Sequence, residues 1–251
     1  MGSHSLLSNI RARFSPTLDP EFIPISLVLK KTHERIANGT PSVELTFSLE
    51  RLPGDRSIHK FTVPDPKNDE SGEIKRLVER ICKFLLWQQG ASLVGIHSSD
   101  GSNILAKYLS KIYNENGPRA FDADMMKRAY GTSLVFESLD SCKIEASDKS
   151  KAIGGHLDGC RIGFDLGASD YKLAAVQNGE PVYTTEIPWD PRVESNPDWH
   201  RNKINEGLKL AAEKLPRVDA IGGSSAGIII NSEPRVASLF RRTSISSRSI
   251  E

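Results

Sequence analysis

The stretch 161–187 constrains the fold more than any other part of the chain. Its pattern is typical of two short strands joined by a tight turn at 167–169, and Asn178-Gly179 then supplies a hairpin turn into a third strand over 182–187. Strands joined by turns this short run antiparallel. We therefore predict three consecutive antiparallel strands, with an acidic, glycine-bearing first turn.

The residues around this first turn suit a phosphate group. Gly167 lets the backbone approach a ligand closely, the amides of a tight turn bind oxygens, and Ser169 adds a hydroxyl. Lys172 supplies a cation, and Asp165 at the end of the first strand would hold hydrated Mg²⁺ near the phosphates. The alternative interpretation is an ordinary hairpin that binds no ligand.

The run from Asp165 to Lys172 resembles the first phosphate motif of the actin-like ATPase superfamily. Within that superfamily it is most similar to the ROK group of sugar kinases and repressors, whose opening motif is commonly Asp-Ile-Gly-Gly-Thr-Lys. Here Ala168 and Ser169 replace the Gly-Thr pair, and Asp170 takes the place of the lysine. The resemblance implies an α/β fold with mixed sheets, whose C-terminal part is the first lobe of the actin-like, ribonuclease H-like fold.

The same resemblance implies cofactors and site residues. The cofactors are ATP and Mg²⁺, with Asp165 as the metal ligand. The residues implied in cofactor binding are Asp165, Gly167, Ala168, Ser169 and Lys172.

A helix and a fourth strand are predicted to follow the three strands. Asn196-Pro197 is typical of a helix start, and an apolar stripe at helical spacing runs through 204–215. Residues 218–230 predict a strand that ends in small residues, and the resemblance implies that this end borders a sugar site. The residues implied in substrate binding are Ser224, Ser225 and Gly227. The alternative is close packing of strand on helix, with no ligand.

The N-terminal half of the chain also alternates strands and helices. Alternating apolar residues and a Pro-Gly turn predict a β-hairpin over 42–63. An apolar stripe over 74–89 predicts a helix that ends at Gly90, followed by a short buried strand over 93–96 and a helix over 104–112.

Two further predictions complete this half. The loop before the helix at 104–112 is either an anion site or a turn capped by Asp100 or Ser102. A helix capped by Asp122 and a strand over 133–137 follow.

The aromatic residues after the third strand also leave two interpretations open. Trp189 and Trp199 either pack against the sheet or line a ligand cleft. No two histidines have the spacing of a helical metal site, so the histidines are not expected to be metal ligands.

Shifts in composition divide the chain into five segments. Residues 1–18 include Arg11 and Arg13 and no acidic residue, which is the composition of either a disordered arm or a mitochondrial transit peptide. The predicted segments are an N-terminal arm (1–36), an α/β region (37–140), a linker (141–160), a partial actin-like ATPase or ROK lobe (161–240) and a disordered tail (241–251).

Composition also excludes several classes of protein. With 33 basic and 32 acidic residues the net charge is +1. The isoelectric point near 7.7 argues against a nucleic-acid-binding protein, whose domain usually lies above about 9. The three cysteines form no CxxC pair, so they predict free thiols in a cytoplasmic protein. No apolar run reaches the ~18–20 residues of a membrane span.

Together these observations favour a protein related to ROK-type sugar kinases, with ATP- and Mg²⁺-dependent phosphoryl transfer to a sugar as the parent activity. The expected partner is a small-molecule sugar, without nucleic acid or membrane, and a homodimer is compatible with the chain. No second phosphate motif, adenosine motif or ROK-type catalytic base follows, so we expect a truncated, poorly active chain and assign no catalytic residue. The alternatives are a non-catalytic regulatory module that binds a sugar or a nucleotide, and a fragment without a function of its own.

Overall fold

A computed structural model describes residues 10–243, apart from 11, 21, 141–144, 148–153 and 237–238. The chain divides into two compact units, 1–150 and 151–251, and each unit has its own hydrophobic core. Both units combine helices with a sheet of parallel and antiparallel pairs, so the protein is α/β with mixed sheets, as predicted. Parts of the predicted linker, and residues 244–251 of the predicted tail, lie outside the described residues.

A four-stranded sheet forms the centre of the N-terminal unit. Its strands are β1 (Ser42–Glu50), β2 (Arg56–Pro64), β3 (Leu93–Ser98) and β4 (Val135–Ser138). β1 lies between β2 and β3 and is antiparallel to both, whereas β4 pairs parallel with β3. The β1–β2 hairpin confirms the prediction from alternating apolar residues.

The helices of this unit are α1 (Ile25–Ala37), α2 (Glu73–Gln89), α3 (Ile104–Ile112) and α4 (Ala120–Tyr130), with a short 3₁₀ helix at Pro66–Asn68. The apolar stripe of α2 is buried, as its periodicity predicts, and belongs to the same core as β1 and β3. Gly90 ends α2 with a φ of 74°, which is why glycine stands there.

Helix α1 lies inside the stretch predicted as an N-terminal arm. Val28 and Thr32 are buried, and Val28 belongs to the core of the unit. Thr32 Oγ1 donates to the Val28 carbonyl at 2.8 Å, so its burial leaves the hydroxyl paired. Burial of one face helps to order residues 25–37, in which Ile25, Val28, Leu29 and Ile36 stand at helical spacing.

The starts of α3 and α4 differ from the predicted caps. The N-cap residue of α3 is Asn103, because the Asp100 carboxylate instead accepts from the amide of Ser102 at 3.1 Å within the preceding loop. Asp122 lies in the first turn of α4 rather than at its cap, and it accepts from Trp87 Nε1 at 2.6 Å. Asp100 is thus bound within its own loop, whereas Asp122 is bound by a residue of α2.

The C-terminal unit is built on a second four-stranded sheet. Its elements are β5 (Cys160–Leu166), β6 (Asp170–Gln177), β7 (Glu180–Pro188), α5 (Pro197–Ala212) and β8 (Ala220–Ser225), followed by a short antiparallel pair, β9 (Ile228–Ile230) and β10 (Glu233–Val236). β5, β6 and β7 form the predicted antiparallel run, and β8 pairs parallel with β5, which gives the order β7-β6-β5-β8. This order, with a helix before the parallel strand, is that of the first half of a ribonuclease H-like lobe.

Helix α5 packs against one face of this sheet. Asn196 caps it by accepting from the Asp198 amide at 2.9 Å, with Pro197 at the first helical position, as predicted. The strand residues buried on the covered face are Ile162, Leu166, Tyr171, Leu173 and Ala175. They alternate with the residues of the opposite face, as the two-residue period of a strand requires.

An aromatic cluster extends this core. Trp189 stacks on Trp199 with ring centroids 6.0 Å apart, and the His200 ring packs edge-on to both. These contacts confirm the interpretation of Trp189 and Trp199 as packing residues. Within the described part of the chain, no helix has the length and apolar character to cross a membrane.

Candidate functional site

The face of the C-terminal sheet opposite α5 carries a row of polar side chains. The strand register places Asp165 of β5 directly beside Lys172 of β6, and Lys172 beside Glu186 of β7. On the other side, Asp165 pairs with Ser224 of β8. Directly paired residues on neighbouring strands point to the same face, so the four exposed side chains form one row across the sheet.

The next row on this face consists of small residues. Gly222, Gly163, Ala174 and Thr184 are paired in that order across the four strands. A Cβ added to Gly222 or Gly163 would meet no atom within 4 Å, so the space above them is open. The members of both rows on β5, β6 and β7 line an open pocket of about 610 Å³.

The turn between β5 and β6 stands at the end of this pocket and is held by Trp189. The indole N–H of Trp189 donates to the Gly167 carbonyl at 2.8 Å, and its backbone N–H donates to the Ser169 carbonyl at 3.0 Å. Among the described residues, the amides of Ala168 and Ser169 have no hydrogen-bond partner, and both residues are exposed. Trp189 therefore binds the carbonyls of Gly167 and Ser169, while the N–H groups of Ala168 and Ser169 stay open for an anion.

Glycine at position 167 is required by the turn itself. The Gly167 amide donates to the Asp170 carbonyl at 3.0 Å, and a Cβ on Gly167 would lie 2.7 Å from that oxygen. Real Cβ atoms do not approach an oxygen so closely. Gly167 was predicted to let a ligand come close to the backbone, but the group that comes close to it is the Asp170 main-chain carbonyl.

Both side-chain donors predicted for a phosphate bind Asp170. Lys172 Nζ donates to Oδ1 at 2.9 Å, and Ser169 Oγ donates to Oδ2 at 2.8 Å. Lys172 also lies 3.8 Å from the Glu186 carboxylate. The hydrogen bond from Lys172, and then the one from Ser169, lowers the pKa of Asp170 below its ordinary value. The same bond to Asp170 raises the pKa of Lys172.

Asp165 and Ser224 meet at the carboxyl ends of the parallel strands β5 and β8. Ser224 Oγ donates to Asp165 Oδ1, although the two residues are 59 positions apart in the sequence. The carboxyl ends of neighbouring parallel strands are where α/β sheets bind ligands. The residue predicted as a metal ligand and the first residue predicted for substrate therefore belong to one site.

Ser225 and Gly227 do not join this row. Ser225 is half-buried and, by strand alternation, faces away from the row, with its Oγ 3.5 Å from the Ala226 carbonyl. Gly227 has a φ of 130° in the bend after β8, a conformation that favours glycine. Both residues lie next to the site in the sequence, but the structure uses them to leave the strand and to turn.

Two residues of the site were missed from the sequence. Glu186 reaches the row because a β-bulge between Ala175 and Val176 shifts the register of β6 against β7. Trp189 was identified as a packing residue, but no sequence pattern indicates its two hydrogen bonds to the turn. The predicted Asn178-Gly179 turn gives the pairing of β6 with β7 but not the bulge within it.

The site could hold Mg²⁺ only together with phosphate oxygens and water. The described part of the chain holds no group of three or more His, Cys, Asp or Glu residues arranged to bind a metal ion. Mg²⁺ is commonly held by one or two carboxylates together with substrate phosphates and water. The exposed Asp165 carboxylate, beside the Ser224 hydroxyl, fits this mode and not a site made of protein ligands alone.

No family model and no curated protein sequence matches the chain. Similar solved structures include a PPX-GPPA enzyme of Aquifex aeolicus, with 15% identity and a TM-score of 0.19 over 73% of this chain and 64% of that one. Another is an exopolyphosphatase from Cytophaga hutchinsonii, with 10% identity and a TM-score of 0.21 over the same shares. Neither is named as a sugar kinase, and the chain spans only about 64% of their length.

Proposed function

We propose that the C-terminal unit binds the phosphate groups of Mg²⁺-ATP and forms the first half of a phosphoryl-transfer site of the actin-like ATPase kind, with a sugar as acceptor. The observation that carries this proposal is the turn between β5 and β6. Its carbonyls are bound by Trp189, and the amides of Ala168 and Ser169 are left open beside the exposed ammonium of Lys172. Open amides and a cation on a tight turn are a recurrent phosphate-binding arrangement.

The turn and three residues of the row, Asp165, Lys172 and Ser224, have roles under this proposal. The amides of Ala168 and Ser169 would bind phosphate oxygens, and Lys172 would neutralise their charge. Asp165 would hold Mg²⁺ through water, and Mg²⁺ when bound supplies further neutralisation of the phosphates. Ser224 fixes the Asp165 carboxylate by its hydrogen bond and lies where the acceptor sugar would border the phosphates.

A second candidate function is a regulatory module that binds a sugar without turnover. The observation that favours it is that Asp170 already binds the Ser169 hydroxyl and partly neutralises the charge of the Lys172 ammonium. Under this alternative the pocket on the open face binds a neutral ligand, and the polar row contributes hydroxyl and carboxylate partners.

Isothermal titration of the full chain with Mg²⁺-ATP tests the proposal. Wild type should release heat, and Lys172→Ala should weaken binding at least about tenfold, as expected for the loss of a charge-assisted hydrogen bond. Lys209→Ala is the matched control, because Lys209 is an exposed lysine on α5 outside the site. Its affinity should equal that of wild type.

Titrations with glucose and with N-acetylmannosamine separate the two candidates. Heat from a sugar without heat from Mg²⁺-ATP would favour the regulatory module. Binding of Mg²⁺-ATP that is equally strong in wild type and Lys172→Ala would show that the turn is not the phosphate site.

A further inference from the structure

The two oxygens of the Asp170 carboxylate occupy the two side-chain donors of the turn. Lys172 Nζ binds one oxygen at 2.9 Å and Ser169 Oγ binds the other at 2.8 Å. A phosphate group bound at the turn would draw on the same two groups, the single O–H of Ser169 and the ammonium of Lys172, which directs one of its three N–H bonds to Asp170. The carboxylate is therefore held as an anion of the chain itself in the place where a ligand anion would be bound.

The contact is specific to Asp170 among the acidic residues of the row. Glu186 touches Lys172 at 3.8 Å but makes no hydrogen bond to Ser169. Asp165 is bound by Ser224. Only Asp170, in the described part of the chain, engages both donors at once.

The backbone of the turn does not depend on this carboxylate. The Gly167 amide donates to the Asp170 main-chain carbonyl, and Trp189 binds the carbonyls of Gly167 and Ser169. A side-chain change from carboxylate to amide therefore leaves these turn bonds in place. The side chain of Asp170 is available for a role other than shaping the turn.

We infer that Asp170 is an internal competitor of the anion: its carboxylate competes with a phosphate group for the Ser169 hydroxyl and the Lys172 ammonium at the turn. This inference rests on the proposed function, because it concerns the same site. It names a regulation of that site, in which the affinity for phosphate is set by an internal carboxylate. It also explains why the turn leaves two amides open for an anion while the side chains of Ser169 and Lys172 already bind a carboxylate.

The test is calorimetric titration of the full chain with Mg²⁺-ATP in wild type and in Asp170→Asn, with Asp170→Ser as a second variant. Removing the competitor should tighten binding roughly three- to fivefold, the scale of an exposed ion pair. Glu186→Gln is the matched control, since it removes the same charge next to the same lysine. Its affinity should rise by less than that of Asp170→Asn, because Glu186 does not bind Ser169, whereas a general effect of charge would tighten both variants equally.

The last part of the experiment measures the effect of Asp170→Asn in a chain that also carries Lys172→Ala. If Asp170 acts by holding Lys172, most of the gain from Asp170→Asn should vanish when Lys172 is already absent. Wild-type binding that depends on Lys172, with Asp170→Asn no tighter than Glu186→Gln, would overturn the inference and leave the proposed function standing. No binding in any variant, or binding indifferent to Lys172, would overturn the proposed function and the inference with it. Binding by Asp170→Asn where wild type shows none would support both.

Discussion

At the scale of single residues, Trp189 shows how a packing residue also shapes a site. Its ring is buried in the aromatic cluster, stacked on Trp199, while its indole N–H reaches the Gly167 carbonyl. The carbonyl of a tight turn that is bound in this way cannot rotate toward the ligand side. The orientation of the free amides therefore depends on a side chain about twenty residues away in the sequence.

We expect Trp189→Phe to lower the free energy of unfolding by about 0.5–1.5 kcal/mol, because one buried hydrogen bond is lost while an aromatic ring is kept. The affinity for Mg²⁺-ATP should fall as well, since the turn loses one of its two anchors. Denaturant unfolding and calorimetric titration measure the two effects.

The control is Trp199→Phe, which makes the same change in the partner ring of the stack. It should affect stability and leave the affinity close to that of wild type. Equal losses of affinity in both variants would show that the cluster acts through general packing and not through the bond to Gly167.

Asp170 predicts a dependence of stability on pH. The hydrogen bond from Lys172, then that from Ser169, lowers the pKa of this carboxyl in the folded chain. A lowered pKa means that the ionised form stabilises the fold at pH values above the unfolded pKa of about 3.9, and that this stability is lost as the pH falls through the folded pKa.

Asp170→Asn should accordingly be less stable than wild type near neutral pH, with a difference that shrinks below about pH 4. Guanidinium unfolding at several pH values measures it. Lys172→Ala removes the main hydrogen-bond partner of Asp170. The free energy of unfolding of this variant should therefore depend less on pH around the pKa of Asp170 than that of wild type. A difference that stays constant down to the acid limit of the folded state would contradict the assignment.

At the scale of elements, α5 and the sheet approach each other at a glycine. A Cβ on Gly207 would lie 2.6 Å from Tyr171 Cε2 and 2.7 Å from Leu173 Cδ1. Tyr171 is fully buried and its hydroxyl donates to the Lys203 carbonyl of the same helix at 2.8 Å, so the ring cannot move aside without losing that bond. The close approach places α5 on one face of the sheet and leaves the opposite face for the site.

Gly207→Ala should therefore destabilise the unit, even though alanine is the better helix former by about 1 kcal/mol. Overpacking of this kind costs about 1–3 kcal/mol, so after the gain in helix propensity we expect a net loss of up to about 2 kcal/mol in the free energy of unfolding. Asn202→Ala, at an exposed position of the same helix, is the control and should gain up to about 0.5 kcal/mol. A stabilised Gly207→Ala variant would show that the sheet accommodates the methyl group.

The elements of the C-terminal unit could be predicted because their signals are local. The Asn178-Gly179 turn takes the positive φ values of 51° and 87° that a two-residue hairpin needs, and Asn196 caps α5 with its own side chain. The start of α4 could not be predicted, since Asp122 is bound by Trp87, 35 positions away. A sequence pattern does not show which distant group takes a carboxylate.

The register between β6 and β7 at the site could not be predicted from the sequence either. The pairing of Gln177 with Glu180 at the hairpin, continued without a bulge, would set Thr185 beside Lys172. The bulge after Ala175 shifts β7 by one residue and sets Glu186 there instead. A shift of one residue exchanges the two faces of a strand. Identity of the site residues on β5 and β6 could thus be read from the motif, whereas their acidic neighbour on β7 could not.

At the scale of the whole molecule, two units of different topology share one nearly neutral chain. Each unit has its own core, and the row of polar side chains lies on β5 to β8 of the C-terminal unit. Lys172 stands between Asp165 and Glu186 in that row. Under the proposed function, the groups of this unit that would attract an anion are therefore one cation and two amides at short range.

This distribution of charge predicts what the chain should not bind. Basic nucleic-acid-binding proteins hold nonspecific DNA with Kd values of about 10⁻⁴–10⁻⁶ M through many phosphate contacts, and that affinity falls steeply with salt. With 33 basic and 32 acidic residues, this chain has no comparable excess of positive charge. We expect no change in the anisotropy of a labelled DNA duplex at up to about 10 μM protein and ~0.15 M salt. Mg²⁺-ATP should still bind under the same conditions, because its contacts are local and fixed by the turn. Salt-sensitive binding of DNA that persists in Lys172→Ala would show a basic surface elsewhere on the molecule, and would favour a nucleic-acid partner over a sugar.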